Sequence, residues 1–407
     1  MNCIVWGLRN SSKVGNEIKI SIVGGAGRVG LPLGIALSEF HQVVIVDTAQ
    51  DRVSQINARV MPFREKGAQE RLEQISSSQL RAVSTNDEIK ETDVCILIIG
   101  TPINPDGTPS SSSLVDLTKE LTPFLSKTKL LMLRSTVYPG ITKEVESVLM
   151  ENGLHTKVSF CPERIAEGNA LEEIATLPQI IGANDEESLE ISKEVFAGVV
   201  SNVIEVSTLE AELAKLFANS YRYVKFALAN DFLRMCISNN ARWELVWKAL
   251  TEDYPRAKDL PKPGFAAGPC LVKDTMQLDY FDHGRFRLGK AAVEANENLV
   301  EFFVTEIEKR FSLDDKVVGI LGMTFKSEVD DFRSSLSFRL KRVLEKKVTR
   351  LLCSDSVLQL DWFVDLETIK NSCDLIIVAT PHDAYKGLQL GVPVLDIWRV
   401  TATKSIF

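Results

Sequence analysis

One cysteine-bearing loop carries the side chains best suited to chemistry. Residues 262–275 read KPGFAAGPCLVKDT, so that Cys270 is followed by Lys273 and Asp274. The glycines and prolines predict a defined loop whose backbone can approach a ligand closely. The LVKDT that follows can begin a helix, and the positive end of a helix lowers the pKa of a thiol and favours the nucleophilic thiolate. The alternative is a buried cysteine that acts as a small hydrophobic side chain.

A glycine-rich turn near the start of the chain predicts a dinucleotide site. An apolar strand at 18–23 runs into the pattern GxGxxG at Gly25, Gly27 and Gly30, and a helix-like stretch and a second apolar strand follow, ending at Asp47. In this context the glycines permit a tight turn beside a pyrophosphate, and the carboxylate binds the ribose diol. Asp47 favours NAD over NADP because it would repel a 2′-phosphate. The alternative is a glycine turn in an ordinary βαβ unit.

Further strand and loop pairs extend this first domain. Apolar strands at 94–99 and 130–133 lead to Thr101 and Thr136, and we expect both threonines to contact cofactor or substrate because such loops line the ligand crevice. Helix capping is the alternative role. Residues 104–113, rich in Ser, Pro and Gly, predict a mobile loop. Strands at 178–182 and 203–206 complete the domain.

Two carboxylates follow the strand at 158–160. Glu163 and Glu167 are four residues apart in CPERIAEG, so on a helical turn they share one face. Carboxylates on one face repel unless something positive or reactive lies between them. The alternative is a solvated surface turn.

A long helical pattern begins at Ser207 and continues without a break to about residue 239. It carries Lys215 and Asn219 four residues apart on a largely apolar helix. Lys215 is either desolvated, with a lowered pKa, or extends its amine to water. The helix is long enough to bridge domains or to pack against a second copy of the chain. Residues 243–250 and 287–311 predict further helices.

A second, shorter α/β unit begins near residue 312. A strand is predicted to begin at residue 316, in KVVGILGMTFK (316–326), and others at 348–353, 373–379 and 392–397. The unit has no GxGxxG pattern, so we expect it not to bind a dinucleotide in the usual way. Lys326 and Arg333 can hold a phosphorylated ligand, although surface charge is the alternative. The predicted fold is α/β, with two Rossmann-like doubly wound parallel-sheet domains joined by a central helical region.

The composition is that of a globular protein with several domains. The 407 residues are 45% hydrophobic and carry a net charge of −8, without the basic block that nucleic acids or anionic membranes would require. No apolar run reaches the roughly 18 residues of a membrane span, and the N-terminus lacks signal-peptide features. Seven cysteines without a CxxC pair, and four scattered histidines, argue against a metal site and a disulfide framework and favour a cytoplasmic location.

Several ordered motifs resemble the UDP-glucose/GDP-mannose dehydrogenase family, the nucleotide-sugar 6-dehydrogenases, over residues 18–400. These motifs are GAGRVGLP (25–32), GTP (100–102), RSTVYPG (134–140), PERIAEG (162–168), ELAKLFAN (212–219), CLVKD (270–274) and LGMTFKSEVDDFRSS (321–335). The resemblance implies an NAD domain, a helical dimerisation region and a nucleotide-sugar domain. We therefore divide the chain into an N-terminal extension (1–17), an NAD domain (18–206), a central helical and catalytic-loop region (207–311) and a C-terminal nucleotide-sugar domain (312–407).

The resemblance also implies a four-electron oxidation of the sugar C6 alcohol to a carboxylate with NAD. Cys270 would form a thiohemiacetal and then a thioester, and Lys215 and Asn219 would stabilise the oxyanions. Asp274 would act as a base or orient water with help from Thr136, and Glu163 is the candidate base for hydrolysis. Implied cofactor contacts are Gly25, Gly27, Arg28, Val29, Gly30, Asp47, Thr101, Thr136 and Arg333. Implied substrate contacts are Glu163, Glu167, Lys215, Asn219, Phe265, Gly268 and Lys326.

The substrate is the point at which the chain departs from the family pattern. Arg28 stands where the family usually has an aromatic residue, and the loop at 265–270 is one residue short, with Pro269 where Ser, His or Tyr is common. The KDT after Cys270 favours the UDP-glucose and GDP-mannose branches, and of these we favour UDP-glucose, giving UDP-glucuronate. UDP-N-acetylhexosamine and GDP-mannose oxidation are the alternatives.

Two other classes of protein share parts of this pattern. A two-electron Rossmann dehydrogenase of the hydroxyacid or 6-phosphogluconate type would need neither Cys270 nor the C-terminal domain. A non-catalytic NAD- or nucleotide-sugar-binding relative would need no group of complementary reactive residues, whereas this chain has one. We expect a homodimer formed through the central helix.

Overall fold

The computed structural model describes residues 17–101, 112–265, 268 and 270–407. They form two compact units, one that ends at Lys215 and one that begins at Leu216. Residues 1–16 of the predicted N-terminal extension, residues 104–111 of the predicted mobile loop and Pro269 lie outside the described residues. The boundaries of the four domains stay a prediction.

The first unit is built on an eight-stranded sheet of order β3-β2-β1-β4-β5-β6-β7-β8. Its neighbouring strands are parallel, except that β6 and β7 pair antiparallel through Phe160 and Gly182. The strands are β1 Lys19–Val23, β2 Gln42–Val46, β3 Leu80–Val83, β4 Val94–Leu97, β5 Leu130–Leu133, β6 Lys157–Phe160, β7 Gln179–Gly182 and β8 Val203–Val206.

Helices cover both faces of this sheet, which explains why its central strands are continuous apolar runs. Successive residues of one strand pack on opposite faces of the sheet: Ile22 belongs to one hydrophobic cluster, and its neighbour Val23 belongs to another. The helices are α1 Gly30–Leu37, α2 Gln50–Asn57, α3 Ala68–Gln74, α4 Ser112–Leu121, α5 Ile141–Glu151, α6 Ala170–Thr176 and α7 Glu186–Phe196, with 3₁₀ turns at Asn86–Glu91 and Thr122–Phe124.

The second unit joins a group of helices to a four-stranded parallel sheet of order β10-β9-β11-β12. Its strands are β9 Val317–Leu321, β10 Arg350–Ser354, β11 Leu375–Val378 and β12 Val394–Asp396. The helices are α8 Thr208–Ser238, which begins in the first unit, α9 Trp243–Thr251, α10 Leu271–Phe281, α11 Arg287–Glu297, α12 Leu299–Glu308, α13 Leu336–Leu344 and α14 Leu366–Ser372, with a 3₁₀ turn at Asp383–Tyr385. The predicted fold class is confirmed.

Two local predictions are wrong. The single helix predicted for 287–311 is two helices, α11 and α12, which meet at Asn298, where ψ is 0°. Asparagine is a poor helix former because its side chain competes for backbone hydrogen bonds. Ser112 and Ser113, predicted as the end of a mobile loop, are the first residues of α4. In the described part of the chain, every helix is too short or too polar to cross a bilayer.

Candidate active site

The glycine turn has the geometry that a dinucleotide site requires. Gly24 has a φ of +73°, and a Cβ there would lie 2.1 Å from the carbonyl oxygen of Ile98, so glycine is needed at the end of β1. A Cβ on Gly30, where α1 begins, would lie 2.5 Å from Cα of Gly25. The tight turn therefore leads directly into a helix N-terminus, where the peptide dipoles favour a pyrophosphate. Val29 is the N-cap of α1. Gly27 lies in the turn between Gly24 and Gly30, the two glycines with close backbone contacts.

Asp47, directly after β2, is tied to this turn. Its carboxylate accepts hydrogen bonds from the backbone N–H groups of Ala26 and Ala49, both at 3.0 Å, and the residue is half-buried. Each oxygen keeps acceptor capacity for a ribose hydroxyl. The residues present thus fit NAD, with the turn for the pyrophosphate and Asp47 for the ribose.

Arg28 projects from the same turn towards a carboxylate and a ring. Its Nε lies 4.0 Å from the carboxylate of Glu167, and its guanidinium lies over Phe63, 5.1 Å from the ring centroid. The structure therefore brings together two predicted ligand contacts, Arg28 and Glu167. Phe63 supplies, from another segment, an aromatic partner for the residue that departs from the family pattern.

Thr101 and Thr136 lie together at the carboxyl ends of β4 and β5. The hydroxyl of Thr101 donates to the carbonyl oxygen of Thr136 at 2.6 Å. The Ser135 hydroxyl accepts from the N–H of Ile99 at 2.7 Å, so a second hydrogen bond joins the same loops. Both predicted residues are half-buried on the edge where ligands of such sheets bind.

Glu163 lies in a loop, which corrects the predicted helical turn shared with Glu167. Residues 161–169 have no helical structure, and α6 begins only at Ala170. The Glu163 carboxylate forms an ion pair with buried Arg134 and accepts from the N–H groups of Arg164 and Ile165 at 2.7 and 2.9 Å. These bonds to its own neighbours fold the segment into a turn and leave the backbone donors unavailable for a helix.

Asn219 and Asp274 meet in the second unit. Asn219 Nδ2 donates to Asp274 Oδ2 at 2.5 Å, and both residues are buried. Lys273 Nζ lies 3.3 Å from the other oxygen of Asp274, so the buried carboxylate has a positive partner. Lys215 is one turn before Asn219 on α8 and is half-buried.

Cys270 is the N-cap of α10, as the sequence predicts, and its side chain is exposed. The partial positive charge of a helix N-terminus favours a thiolate there. The other described cysteines are buried, and burial raises the pKa of Cys95 to about 12 and that of Cys161 to about 11. Burial also raises the pKa of the remaining three thiols, Cys236, Cys353 and Cys373. Among the described cysteines, Cys270 therefore has the environment that suits a nucleophile.

The backbone before Cys270 is held at two glycines. Gly264 donates to Asn230 Oδ1 at 2.8 Å and accepts from its Nδ2 at 3.1 Å, so one side chain on α8 fixes both its polar groups. Gly268 has a φ of +105°, and a Cβ there would lie 2.7 Å from the ring of Phe325. The ring of Phe265 is buried edge-on against Phe303. A substrate contact by Phe265 therefore stays a prediction that its core packing does not itself support.

Lys326 follows Phe325 in the loop after β9. The ring of Phe325, which a Cβ on Gly268 would meet, thus directly precedes this predicted substrate contact. Arg333, seven residues further on, is exposed and forms a bidentate pair with buried Asp331, with Nε–O distances of 3.1 and 2.9 Å. The pairing fixes the direction of the Arg333 side chain, and its ligand role stays a prediction.

Three residues that support the site, Arg134, Asn230 and Glu65, were not singled out from the sequence, and Lys273 was named beside Cys270 without a role. Arg134 lies inside the motif RSTVYPG, which was a usable signal. Asn230 and Glu65 had none, because their partners are distant in sequence. Glu65 is buried and accepts from the N–H groups of Gly168 and Ala170, which anchors the loop of Glu163 and Glu167.

The site residues thus form two groups, each in its own unit. The first unit holds a dinucleotide turn with Asp47, the two threonines and an anchored Glu163. The second holds an exposed thiol at a helix N-terminus, a buried Asn–Asp pair and the loop that carries Lys326. The first group fits a nicotinamide dinucleotide, and the second offers an exposed thiol whose catalytic role stays a prediction.

Comparison with known families identifies the class to which the chain belongs. Residues 18–200 match the NAD binding domain, 209–298 the central domain and 319–402 the UDP binding domain of the UDP-glucose/GDP-mannose dehydrogenase family. The chain belongs to this family, the nucleotide-sugar dehydrogenases. Its cofactor is accordingly NAD, as predicted, and it is an oxidoreductase.

Individual relatives differ in the sugar that their names give. UDP-N-acetyl-D-mannosamine dehydrogenase of Methanocaldococcus jannaschii is 30% identical over 90% of this chain and 86% of its own length. A UDP-glucose 6-dehydrogenase of Haloferax volcanii is 28% identical over 91% of this chain and 93% of its own. The structure of a UDP-glucose dehydrogenase from Pyrobaculum islandicum matches with a TM-score of 0.88 and 25% identity, covering 97% of this chain and 96% of that one.

Proposed function

We propose that this protein oxidises the C6 alcohol of UDP-glucose to the carboxylate of UDP-glucuronate through a covalent intermediate on Cys270. The observation that carries the proposal is the exposed Cys270 thiol at the N-terminus of α10, one helical turn before buried Asp274. The balanced reaction takes an alcohol, a water and two NAD⁺ to a carboxylate, two NADH and three protons. NAD, when bound, accepts a hydride in each of the two oxidations.

The residues of the chain handle the sulfur, oxygen and proton steps. Cys270 Sγ adds to the carbon of the C6 aldehyde, forming a C–S bond and placing negative charge on the carbonyl oxygen. Lys215 and Asn219 supply positive charge and an N–H to that oxygen, and the effect is large in a site that excludes water. Oxidation of the thiohemiacetal leaves a thioester, whose C–S bond water breaks to release the carboxylate and the thiol.

Asp274 suits the role of accepting or orienting a proton. It is buried, Asn219 donates to one of its oxygens, and Lys273 Nζ lies 3.3 Å from the other. Glu163 is already engaged by Arg134 and two backbone N–H groups, which supports an orienting role over that of a free proton acceptor. Thr136 is the candidate to position the hydrolytic water.

UDP-N-acetylmannosamine is the second candidate substrate. The 30% identical relative from Methanocaldococcus jannaschii favours it. The KDT sequence after Cys270 and the similar structure from Pyrobaculum islandicum favour UDP-glucose. A hydroxyl and an N-acetyl group at C2 of the sugar differ in size and hydrogen bonding, so one site can distinguish them strongly.

The yield of NADH per sugar consumed tests the proposal. Purified protein is given excess NAD with UDP-glucose, UDP-N-acetylmannosamine or GDP-mannose in separate reactions. We expect two NADH per UDP-glucose and little NADH from the others. One NADH per sugar would contradict the four-electron reaction. Two NADH from UDP-N-acetylmannosamine alone would show that this sugar, and not UDP-glucose, is the substrate.

A cysteine pair tests the covalent step. Cys270→Ser keeps the site shape, so we expect it to bind NAD and UDP-glucose but to form no UDP-glucuronate. Cys236→Ser, at a buried thiol of α8, is the matched control and keeps two NADH per sugar. Formation of UDP-glucuronate by Cys270→Ser at the normal rate would rule out the thioester.

We also propose a homodimer formed through α8. Phe217, Tyr221, Leu228 and Met235 lie along one face of this helix and are each between 45% and 57% exposed. Such a stripe on a single helix is typical of an association surface. Phe217→Asp with Leu228→Asp should convert a particle of twice the 45.3 kDa chain mass into a monomer in light scattering. Met150→Asp, at a residue of α5 that is 76% exposed, should leave the mass unchanged. A wild-type monomer would contradict the proposal.

The cytoplasmic location also remains a proposal. A nucleophilic thiol that is exposed must stay reduced to act, and reducing conditions prevail in the cytosol. Fractionation of cells that express the chain would test this location.

A further inference from the structure

A fully buried histidine, His382, lies against the loop that carries Lys326. His382 follows β11, and its exposed fraction is 0%. Its Nδ1 accepts a hydrogen bond from the backbone N–H of Glu328 at 3.1 Å. Because a backbone N–H only donates, the neutral ring carries its proton on Nε2. Nε2 lies 3.0 Å from Thr324 Oγ1 and 3.2 Å from Asp355 Oδ2.

Asp355 fixes the side of the ring that carries the proton. Its Oδ2 also accepts from the N–H groups of Met323 and Thr324, and its Oδ1 accepts from those of Val357 and Leu358. A carboxylate held by four backbone donors cannot turn away. The Nε2–H of His382 therefore points at a fixed acceptor, which orients the ring.

The other side of the ring holds a strained part of the loop. Glu328 has a φ of +61°, a left-handed conformation that residues with a Cβ rarely adopt. The bond from its N–H to His382 stabilises this conformation, and the N–H of Asp383 donates to the Glu328 carboxylate at 2.9 Å. Both bonds therefore help to offset the conformational strain of the positive φ at Glu328.

Thr324 carries the same network to the peptide of Lys326. Its Oγ1 donates to the Lys326 carbonyl oxygen at 2.9 Å, so this hydroxyl can only accept from His382 and shares the single Nε2–H with Asp355. The carbonyl oxygen of Thr324 accepts from Thr380 Oγ1 at 2.6 Å. The ring thus holds the loop on both sides of Lys326, at Thr324 and at Glu328.

We propose that His382 is a positioning residue for nucleotide-sugar binding, because it fixes the backbone from which Lys326 reaches the substrate. The inference rests on the proposed function, in which Lys326 contacts the UDP-sugar. His382 itself is buried beneath the loop and touches neither the substrate nor the cofactor. Its loss should therefore weaken UDP-sugar binding and leave the chemistry of Cys270 intact.

Replacement of His382 tests the proposal with UDP as the probe. Loss of both contacts in His382→Ala should weaken UDP binding, measured by calorimetry, about tenfold or more, since small displacements of a binding group have large effects. KM for UDP-glucose should rise by a similar factor, with kcat changed less than about threefold and NAD affinity unchanged. His382→Asn places its side-chain oxygen near the position of Nδ1 and should recover much of the lost affinity. UDP affinity of His382→Ala equal to that of wild type, or no recovery in His382→Asn, would overturn the inference.

Controls separate positioning from general loss of stability. Asp374 accepts a hydrogen bond from the N–H of Val317 at 2.8 Å at the amino ends of β9 and β11, whereas the Lys326 loop follows the carboxyl end of β9, so Asp374→Ala should lower the melting temperature and leave UDP affinity unchanged. Equal loss of UDP affinity in Asp374→Ala would overturn the inference. If His382→Ala does not fold, Thr324→Val removes the bond to the Lys326 carbonyl and should also weaken UDP binding; unchanged binding would count against the network.

The proposed function and this inference fail in different ways. Wild-type protein that binds neither UDP nor UDP-glucose would contradict the proposed function. Wild-type protein that binds UDP with an affinity that the His382 variants share would contradict the inference alone.

Discussion

The two α/β units begin with the same construction. β1 and β9 each end at a glycine with positive φ, Gly24 at +73° and Gly322 at +88°. The N–H of Gly24 donates to the carbonyl of Val46 at 2.8 Å, and that of Gly322 donates to the carbonyl of Ser354 at 2.9 Å. In both units an aspartate directly after the second strand then accepts from N–H groups of the turn.

The units differ in the segment that comes after the turn. α1 begins at Gly30, seven residues after β1, whereas α13 begins at Leu336, fifteen residues after β9. The long loop of the second unit carries Lys326 in place of a helix N-terminus. A dinucleotide pyrophosphate would therefore find no helix dipole at the turn of the second unit.

The two aspartates, Asp47 and Asp355, also differ in how much of their hydrogen-bonding capacity remains for a ligand. Asp47 accepts two backbone N–H groups and is half-buried, so it has room for a ribose. Asp355 accepts four backbone N–H groups and His382, and it is 5% exposed. The same turn and aspartate thus leave room for a ligand in the first unit, whereas in the second unit the aspartate is fully engaged in supporting a loop. This is the structural reason for the expectation that the second unit does not bind a dinucleotide in the usual way.

The largest effect should come from the shared glycines. In Gly24→Ala the new Cβ meets the carbonyl oxygen of Ile98 at 2.1 Å, and in Gly322→Ala it meets the backbone of Thr380 at 2.7 Å. Since neither contact can be relieved without moving a neighbouring strand end, we expect each variant to lose about 3 kcal/mol or more of unfolding free energy. Urea unfolding followed by circular dichroism measures the loss.

The controls are two glycines with positive φ and open space. Gly153 and Gly387 have φ values of +71° and +70°, and a Cβ on either would meet nothing within 4 Å. Their alanine variants should lose only the conformational strain, about 1 kcal/mol. Losses at Gly24 and Gly322 no larger than these would show that the close approach does not matter.

The aspartates should respond in opposite ways to Asp→Asn substitution. In Asp355→Asn the new NH2 group would face backbone N–H groups, so that two donors meet in a buried site. We therefore expect this variant to lose about 3 kcal/mol of unfolding free energy. Asp47→Asn should lose less than about 1 kcal/mol, because its side chain is half-exposed, but should weaken NAD about tenfold. Unfolding and NAD titration of both variants test the contrast, which equal stability losses would contradict.

The strands show what the sequence can predict about such a fold. β1, β2 and β5 lie within one residue of their predicted ends, since buried parallel strands are continuous apolar runs between turn signals. β3 was missed because its four residues, LRAV, are short and alternate between buried and half-buried. The break at Asn298 was missed because periodicity does not register a single residue with ψ near 0°.

The site could be predicted in its residue types but not in its pairings. Motifs identified Asn219, Asp274 and Glu163, because each motif is local. The contact between Asn219 and Asp274 joins residues 55 apart, and that between Glu163 and Arg134 joins residues 29 apart. Such contacts depend on tertiary packing, which no local pattern contains. His382 had no local signal for the same reason.

Replacing the basic residue at the equivalent loop position of each unit should weaken the binding of a different ligand, NAD in the first unit and UDP in the second. Arg28 and Lys326 each stand five residues after the end of the first strand of their unit. Lys326→Met should weaken UDP about tenfold without changing NAD affinity, since hydrogen bonds to charged groups are worth about 1.5–3 kcal/mol. Arg28→Met should weaken NAD only about threefold, because Glu167 already pairs with its charge. Calorimetry with each ligand measures all four affinities, and a loss of NAD affinity in Lys326→Met would break the comparison.

The smallest expected effect is the pH dependence of the stability that the Asp355 carboxylate contributes. Burial alone would raise the pKa of Asp355, but hydrogen bonds from His382, Leu358 and Met323 outweigh it and hold the pKa below its usual value. A lowered folded-state pKa stabilises the fold above the unfolded-state pKa, near 4, and this contribution is lost as the pH falls through the folded-state value. The gap in unfolding free energy between wild type and Asp355→Asn should therefore narrow as the pH falls from 5 to 3. Tryptophan fluorescence suits the measurement because four of the five tryptophans follow residue 240. A gap that stays constant over this range would mean that the Asp355 carboxylate is not held in its charged form.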